Sequence, residues 1–538
     1  MSEVMNQSAT TVNAPQINLK QTSIWSYLPA VLAVGGAVLL TLLRVQTGGA
    51  NFISDGALMM LALACYLTAA VFHLTNLYAP SNVATRLGLW SATLGVFFNL
   101  GSWGVRWIAA HDRELTILTK SGYGPDQMPW FFRYIPFANL YDLSLAFAFG
   151  AGITTLLIAH RKSFRFLGAI SLPIAALILL LARFIGGEFI DLPPVLDSYW
   201  RPIHVGIASL SYGVALVCFA VAVVYLLKDG VKTEAMAIWS SIFALSVFAT
   251  ISKFSVFAPS TFGTYTASTF LGESRFALAL RADIPYVGWL LVAAGALLVG
   301  TIIAFGKYLA SNSEGARRWG HWMLKLSLVA QAMAVVTLVA QIKSIKDVVA
   351  YLDARQYERF SIWMLQQEQA TPEQIAQFTG PQLSQMADGW IQQNGAILRL
   401  STNANPVELA ALITAFAGTL FVIIFSFRTE KLRSALPSLD KIDSLMYKTA
   451  GVAFAGLALL LMTGAVWANE SWGRYWGWDS KETGAFVAWL TYAGFLHTRI
   501  SRGWTGRASA YFAIVAFLLV IFTYLGVSYL LPGLHSYA

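Results

Sequence analysis

Thirteen apolar runs divide this chain, near residues 25–45, 56–79, 87–110, 138–160, 164–185, 203–227, 236–257, 285–308, 321–342, 408–428, 447–468, 484–500 and 509–531. A helix needs about 20 such residues to cross a bilayer. The pattern therefore predicts an all-α fold, a polytopic transmembrane helical bundle of about 13 spans. The run at 236–257 is the weakest, because it carries Lys253 and several serines, and the run at 484–500 is short. One polar interval, roughly 343–407, keeps helical spacing of its apolar residues, broken near Pro372 and again at Gly380 and Pro381. It predicts a small helical extramembrane subdomain.

Composition agrees with this plan. Of 538 residues, 57% are apolar and 12% charged, against about 25% charged in an ordinary soluble domain. The net charge of +9 lies in short loops between apolar runs, so it calls for no nucleic-acid partner. It sorts instead by alternate loops. Arg161, Lys162 and Arg165 fall on one side, with Lys228 and Lys232; Lys307, Arg317 and Arg318; Arg428, Lys431 and Arg433; and Arg499, Arg502 and Arg507. The positive-inside rule then puts residues 1–24 inside as a short polar tail without a signal-peptide pattern. The loop at 186–202, the segment at 467–482 and the C-terminal tail face outward. Cys65 and Cys218 lie inside apolar runs with no CxxC pair, which argues against a disulfide framework or a dithiol redox site.

The densest chemical signal is WANESWGRYWGWDSKE, residues 467–482. Trp467, Trp472, Trp476 and Trp478, with Tyr475 and Asp479, exceed what an interfacial aromatic belt requires. A flat aromatic shelf at the membrane edge suits a large, flat amphiphile, and haem is the obvious candidate. The seven histidines sort by depth. His204 and His535 both fall at the outer edge, where a lone histidine is ordinarily satisfied by water or a carbonyl. Two of them flanking a tryptophan shelf point instead to a pair of axial ligands. His497 lies on the span descending from the shelf, roughly 25 Å lower at 1.5 Å per residue, and an intramembrane ionisable group is a functional candidate. His73 lies at a similar depth and could face it; a helix–helix hydrogen bond is its ordinary reading. His111, His160 and His321 sit at loop edges. Arg474 and Lys481 suit either haem propionates or lipid headgroups. Asp479 either orients a histidine or an indole N–H, or caps the helix that Lys481 and Glu482 begin.

Several separated motifs carry a family resemblance: GAVWANESWGRYWGWDSKET with AWLTYAGFLHTR, LDSYWRPIHVGIASLSYG, GVSYLLPGLHSYA, IPFANLYDLSLAF after Arg106 and Trp107, and LDKIDSLMYK. Together they resemble the CcsA/ResC family of system II cytochrome c biogenesis, with its tryptophan-rich WWD domain. The resemblance implies that His204 and His535 are axial haem ligands. It implies that His497 binds haem on its way from the inner side, and that Trp472, Trp476, Trp478 and Asp479 hold the haem face. Haem b is then substrate rather than resident cofactor, and no catalytic side chain is implied. The implied role is the haem-handling subunit of a holocytochrome c synthase complex in the bacterial inner membrane. It would present haem to a CxxCH apocytochrome c, beside a CcsB/ResB-like partner and membrane lipid. The alternatives are a haem exporter without a ligation role, a system I CcmF/NrfE-like haem lyase subunit, and a structural subunit without haem. Two departures stand out. Ser480 replaces the proline usual after Asp479, and residues 228–435 carry extra spans with no family motif. The expected divisions are 1–24, 25–227, 228–435 with the outer loop 343–407, and 436–538.

Overall fold

A computed structural model of the chain describes residues 24–49, 52–187, 189, 194–250, 261–271, 274–283, 286–342, 348–350, 354–394 and 406–527. Each of the thirteen apolar runs coincides with a helix, the weakest as far as Thr250 among the described residues. The first group is α1 (Leu28–Thr47), α2 (Asp55–Tyr78), α3 (Asn82–Lys120), α4 (Leu140–Ala159), α5 (Ser171–Ile185) and α6 (Trp200–Lys228). The second is α7 (Thr233–Thr250), α8 (Val287–Ser311) and α9 (Glu314–Ile342). Within the polar interval the described residues form α10 (Ala354–Gln367), α11 (Pro372–Ile375) and α12 (Gly380–Asn394), preceded by a short strand. Last come α13 (Pro406–Ser426), the short α14 (Thr429–Ala435), α15 (Leu439–Trp472), α16 (Ser480–Arg502) and α17 (Arg507–Ile521).

Among the described residues, ten helices are long and apolar enough to cross a membrane, as befits an integral membrane protein. Of the thirteen expected spans, those of α3, α7 and α16 fall short of that measure. For α3 the reason is its partners. It runs antiparallel along the whole of α2: Ser102 Oγ donates to the Asp55 carbonyl at 2.8 Å, Tyr66 Oη to Asn99 Oδ1 at 3.2 Å, and His73 lies against Gly88. The polar side chains that lower its hydropathy are thus held by neighbouring helices, and α3 crosses the same layer as α2. A small antiparallel sheet is an addition that no apolar run foretold. Strands β1 (Thr261–Leu271) and β2 (Ser274–Asp283) form a hairpin, and β3 (Val348–Ala350) pairs with β2.

Of the three buried apolar clusters among the described residues, the two largest organise the bundle. The larger draws on α1 to α6 and α13 to α17, and the smaller on α7, α8, α9, α10, α12 and α13. In the larger, α4 and α6 cross backbone to backbone, since a Cβ on Gly213 would lie 2.2 Å from the Gly150 carbonyl carbon. Small residues permit such close crossings in membranes. Gly213→Leu should therefore destabilise the protein by about 1–3 kcal/mol, read as a lower thermal midpoint in detergent. An unchanged midpoint would mean the helices do not meet there.

Seen along the bundle, one end holds the segment 473–479 with the starts of α2, α4 and α6. The opposite, basic end holds the turns at 160–170, 228–233 and 502–507.

Candidate functional site

The site is built on the antiparallel contact between α6 and α15. Ser211 packs on Gly456, and Cys218 Sγ approaches the Met446 carbonyl at 3.7 Å. This register brings His204, one turn into α6, against the last third of α15. There its Nδ1 lies 3.0 Å from the Leu460 carbonyl and 3.4 Å from Thr463 Oγ1. A carbonyl only accepts, so Nδ1 carries the proton of the neutral ring and Nε2 carries the lone pair. A carbonyl bonded in this way fixes which ring nitrogen carries the proton and how the ring is turned. Gly464 makes room for the ring, because a Cβ there would stand 2.7 Å from His204 Cε1. The Trp467 ring sits 5.6 Å away, centroid to centroid.

Around His204 opens a mostly apolar pocket lined by Trp467, Trp472 and Trp476, by Phe137 before α4, and by Tyr212 of α6. Lys481 and Glu482 reach it from the first turn of α16, and Thr523 and Tyr524 from a π-helical turn, Phe522–Gly526, that follows α17. Such turns recur at functional sites. Tyr524 is fixed by a 2.6 Å hydrogen bond with Ser144 Oγ. Two lining groups, Trp467 Nε1 and Ser471 Oγ, are buried without a hydrogen-bond partner among the described residues. Buried polar groups are rarely left so, and these two offer donors to a polar occupant.

The loop from α15 to α16 is tightly determined. Gly473 ends α15 in the left-handed region at φ 68°. Asp479 caps α16: its carboxylate accepts from the Lys481 amide at 3.0 Å, and Glu482 accepts in return from the Asp479 and Gly477 amides at 3.2 and 2.8 Å. This reciprocal pair is a capping box, so of the two roles read for Asp479 the geometry supplies the cap. Trp478 adopts φ 55° while 70% exposed, a strained conformation for a bulky L residue, costing on the order of 1 kcal/mol. Its ring stands edge-on to Trp476 at 5.7 Å, and the aromatic series continues through Phe486 and Trp489 to Phe454.

Of the residues singled out in the sequence, Trp472 and Trp476 thus share a pocket with His204, while Trp478 projects outward and Asp479 sits at the helix cap. His535 lies outside the described residues. His497 is exposed on α16, toward the basic end. His73 is buried between α2, α3 and the 3-10 segment Lys162–Ala169, beside Gly88 and Gly168. The two face different neighbours, since α16 packs on α15 and α17. Gly464, Ser471, Tyr212 and Tyr524 were not anticipated. The spacing of Leu460, Gly464, Trp467 and Ser471 along one helical face was the available signal.

The sequence model of the family described as cytochrome C assembly protein matches residues 137–302 and 406–535. The unmatched stretch between them, 303–405, comprises the last turns of α8, then α9 to α12. Similar chains include proteins named cytochrome c biogenesis protein CcsA. That of Prochlorococcus marinus strain MIT 9515 is 44% identical over 135 residues, 25% of this chain and 43% of the relative. That of Chlamydomonas reinhardtii is 36% identical over 166 residues, 31% of this chain and 45% of its own. In these two the chain spans less than half the length of the relative. The match to strain MIT 9303 of Prochlorococcus marinus is 31% over 298 residues, 50% of this chain and 92% of the relative. With more than half its residues matched by the family model, the chain belongs to the cytochrome c assembly protein family.

Proposed function

We propose that this protein handles haem b during cytochrome c maturation, holding it at the tryptophan end of the bundle for thioether attachment to a CxxCH apocytochrome c. The observation that carries this reading is the tautomer-fixing bond from His204 Nδ1 to the Leu460 carbonyl inside an indole-lined pocket. His204 Nε2 would be one axial ligand and His535 the other. The indoles of Trp472 and Trp476 would cover the ring, and Trp467 Nε1, Ser471 Oγ and Lys481 suit a propionate. In the attachment step a cysteine S–H adds across a haem vinyl group. A C–S bond forms, the proton goes to the other vinyl carbon, and no net redox change occurs. The reactive groups all belong to haem and peptide, so the protein's part is position. The basic end would face the cytoplasm and the pocket the outer side of the inner membrane. His497, on the helix below the pocket, would meet haem on its way up. A CcsB/ResB-like subunit is the partner this role requires.

Co-expressing the full chain with such a partner and an apocytochrome c tests the role. Holocytochrome above the level of a strain lacking the chain is expected. A yield at background, with haem still reaching the outer side, would favour export alone. The clasp on His204 gives a sharper test. Gly464→Ala places a methyl group against the imidazole and should lower haem per purified protein by about tenfold, as loss of support around a metal ligand does, with folded yield unchanged. Full haem occupancy in that variant would remove His204 from the site.

A further inference from the structure

A second cleft, of about 370 Å³, opens at the basic end between the turn joining α4 to the Lys162–Ala169 segment and the first turns of α15. Arg161, Lys441 and Lys448 line it, with Asp440 as the one carboxylate. None of these three cationic side chains has an ion pair or hydrogen bond among the described residues. Four other cations at the same end are committed. Arg499 pairs with Asp443, Arg507 with Asp229, Arg317 with Glu234, and Arg433 with Glu430 and the Leu227 and Val231 carbonyls. The cleft is therefore a local excess of positive charge. Ser163 and Ser444 add hydroxyls, and Phe164 and Leu445 an apolar wall.

The face of α15 that carries these groups does not stop at the cleft. Lys441, Ser444 and Lys448 follow the 3.6-residue period, and the same stripe continues as Val452, Ala455, Leu459 and Met462. Val452, Leu459 and Met462 are 59%, 50% and 65% exposed. From Lys448 to Met462 the stripe rises roughly 21 Å at 1.5 Å per residue, more than the half-thickness of about 15 Å of a bilayer's hydrocarbon core. A charged cleft at one membrane boundary thus leads directly into an uncovered apolar track one leaflet long.

We propose that this cleft binds the phosphate headgroup of an anionic phospholipid whose acyl chains lie along Val452, Leu459 and Met462. Basic pockets between transmembrane helices recognise anionic headgroups through converging cations. A soluble anion would use the cations and leave the apolar track without a purpose. The LDKIDSLMYK motif gains a role here, since its Asp440, Lys441, Ser444 and Lys448 line the cleft. The site lies roughly 24 Å along α15 from Gly464 and stands apart from the reading of the His204 pocket.

Thermal-shift titration of the delipidated full chain in neutral detergent tests the proposal. Dioctanoyl phosphatidylglycerol should raise the unfolding midpoint at concentrations where dioctanoyl phosphatidylcholine and inorganic phosphate do not. The exposed double variant Lys441→Gln/Lys448→Gln should weaken the apparent affinity about tenfold or more, and Asp440→Asn should strengthen it. Lys162→Gln/Lys431→Gln, which removes two charges at the same end outside the cleft, should leave it unchanged. Equal loss in both double variants would mean diffuse charge and overturn the site. An equal response to inorganic phosphate would overturn the lipid.

Discussion

Replacing His204 by alanine should abolish a six-coordinate low-spin haem spectrum in the purified protein and lower retained haem by more than about tenfold. Residues that merely support a ligand already contribute about 10–100-fold to metal affinity, and His204 is proposed as the ligand itself. Its Nδ1 is engaged by the Leu460 carbonyl, so a neutral ring would coordinate through Nε2. The fold should survive the change. The ring is only half-buried, and the Leu460 carbonyl keeps Thr463 Oγ1 as a donor at 3.2 Å. The space vacated between Gly464 and Trp467 is shaped for an imidazole, so added imidazole should restore part of the low-spin spectrum. His160→Ala, at the opposite end, serves as the control and should leave spectrum and haem content unchanged. An unaltered spectrum in His204→Ala would end the ligand assignment. A colourless variant that imidazole does not rescue, with folded protein still recovered, would shift the role of His204 from ligation to shaping the pocket.

The helical, membrane-crossing plan was legible because apolar runs near 20 residues leave few other structures possible. What lay hidden depends on partners distant in sequence. α3, read as a span, is less apolar than the ten long helices because Asn99, Ser102 and Arg106 interrupt it, and the acceptors that hold them stand on α2 and α4. The β1–β2 hairpin escaped because a search for long apolar runs cannot see the two-residue period of TFGTYTASTFL, which is rich in threonine and aromatic residues as strands tend to be. At the site, the tryptophan density and His204 were visible from residue type alone. The carbonyl that sets the tautomer of His204 lies 256 residues away, and the glycine that admits its ring belongs to another helix. The π-helical turn that brings in Tyr524 leaves no mark in composition. A meeting of His497 with His73, the lesser of the two readings of His73, had only equal depth behind it, and depth does not say which way a helix turns its face.

The other large effect is expected at Arg106, which heads the fully buried side chains by size at 1% exposure. Its guanidinium bonds through Nε to Asp142, which is 2% exposed. Through Nη1 it reaches the Gly187 carbonyl at 2.7 Å and Asp55 at 3.4 Å. The Tyr141 and Phe189 rings flank it, each with its centroid 4.5 Å from the guanidinium carbon. This network fastens α2, α3 and the start of α4, and it reaches the pocket wall. The other Asp142 oxygen accepts from the Ala138 amide at 2.9 Å, and Asn139 caps α4 by accepting from the Asp142 amide at 3.0 Å. Ala138 and Asn139 both line the pocket of His204. Arg106→Leu strands the Asp142 carboxylate in a buried setting, so a destabilisation of about 3–5 kcal/mol is expected. Asp142→Leu strands the guanidinium, which keeps Asp55 and Gly187, and should cost somewhat less. The double variant removes both charges and should be more stable than Arg106→Leu, because two apolar groups replace a desolvated pair. It should stay below the wild type, because the Ala138 amide loses its acceptor. Thermal unfolding of the four proteins in one detergent measures this cycle. A double variant no more stable than Arg106→Leu would show that Arg106 and Asp142 act separately, and that the IPFANLYDLSLAF motif serves the fold through something other than their charge.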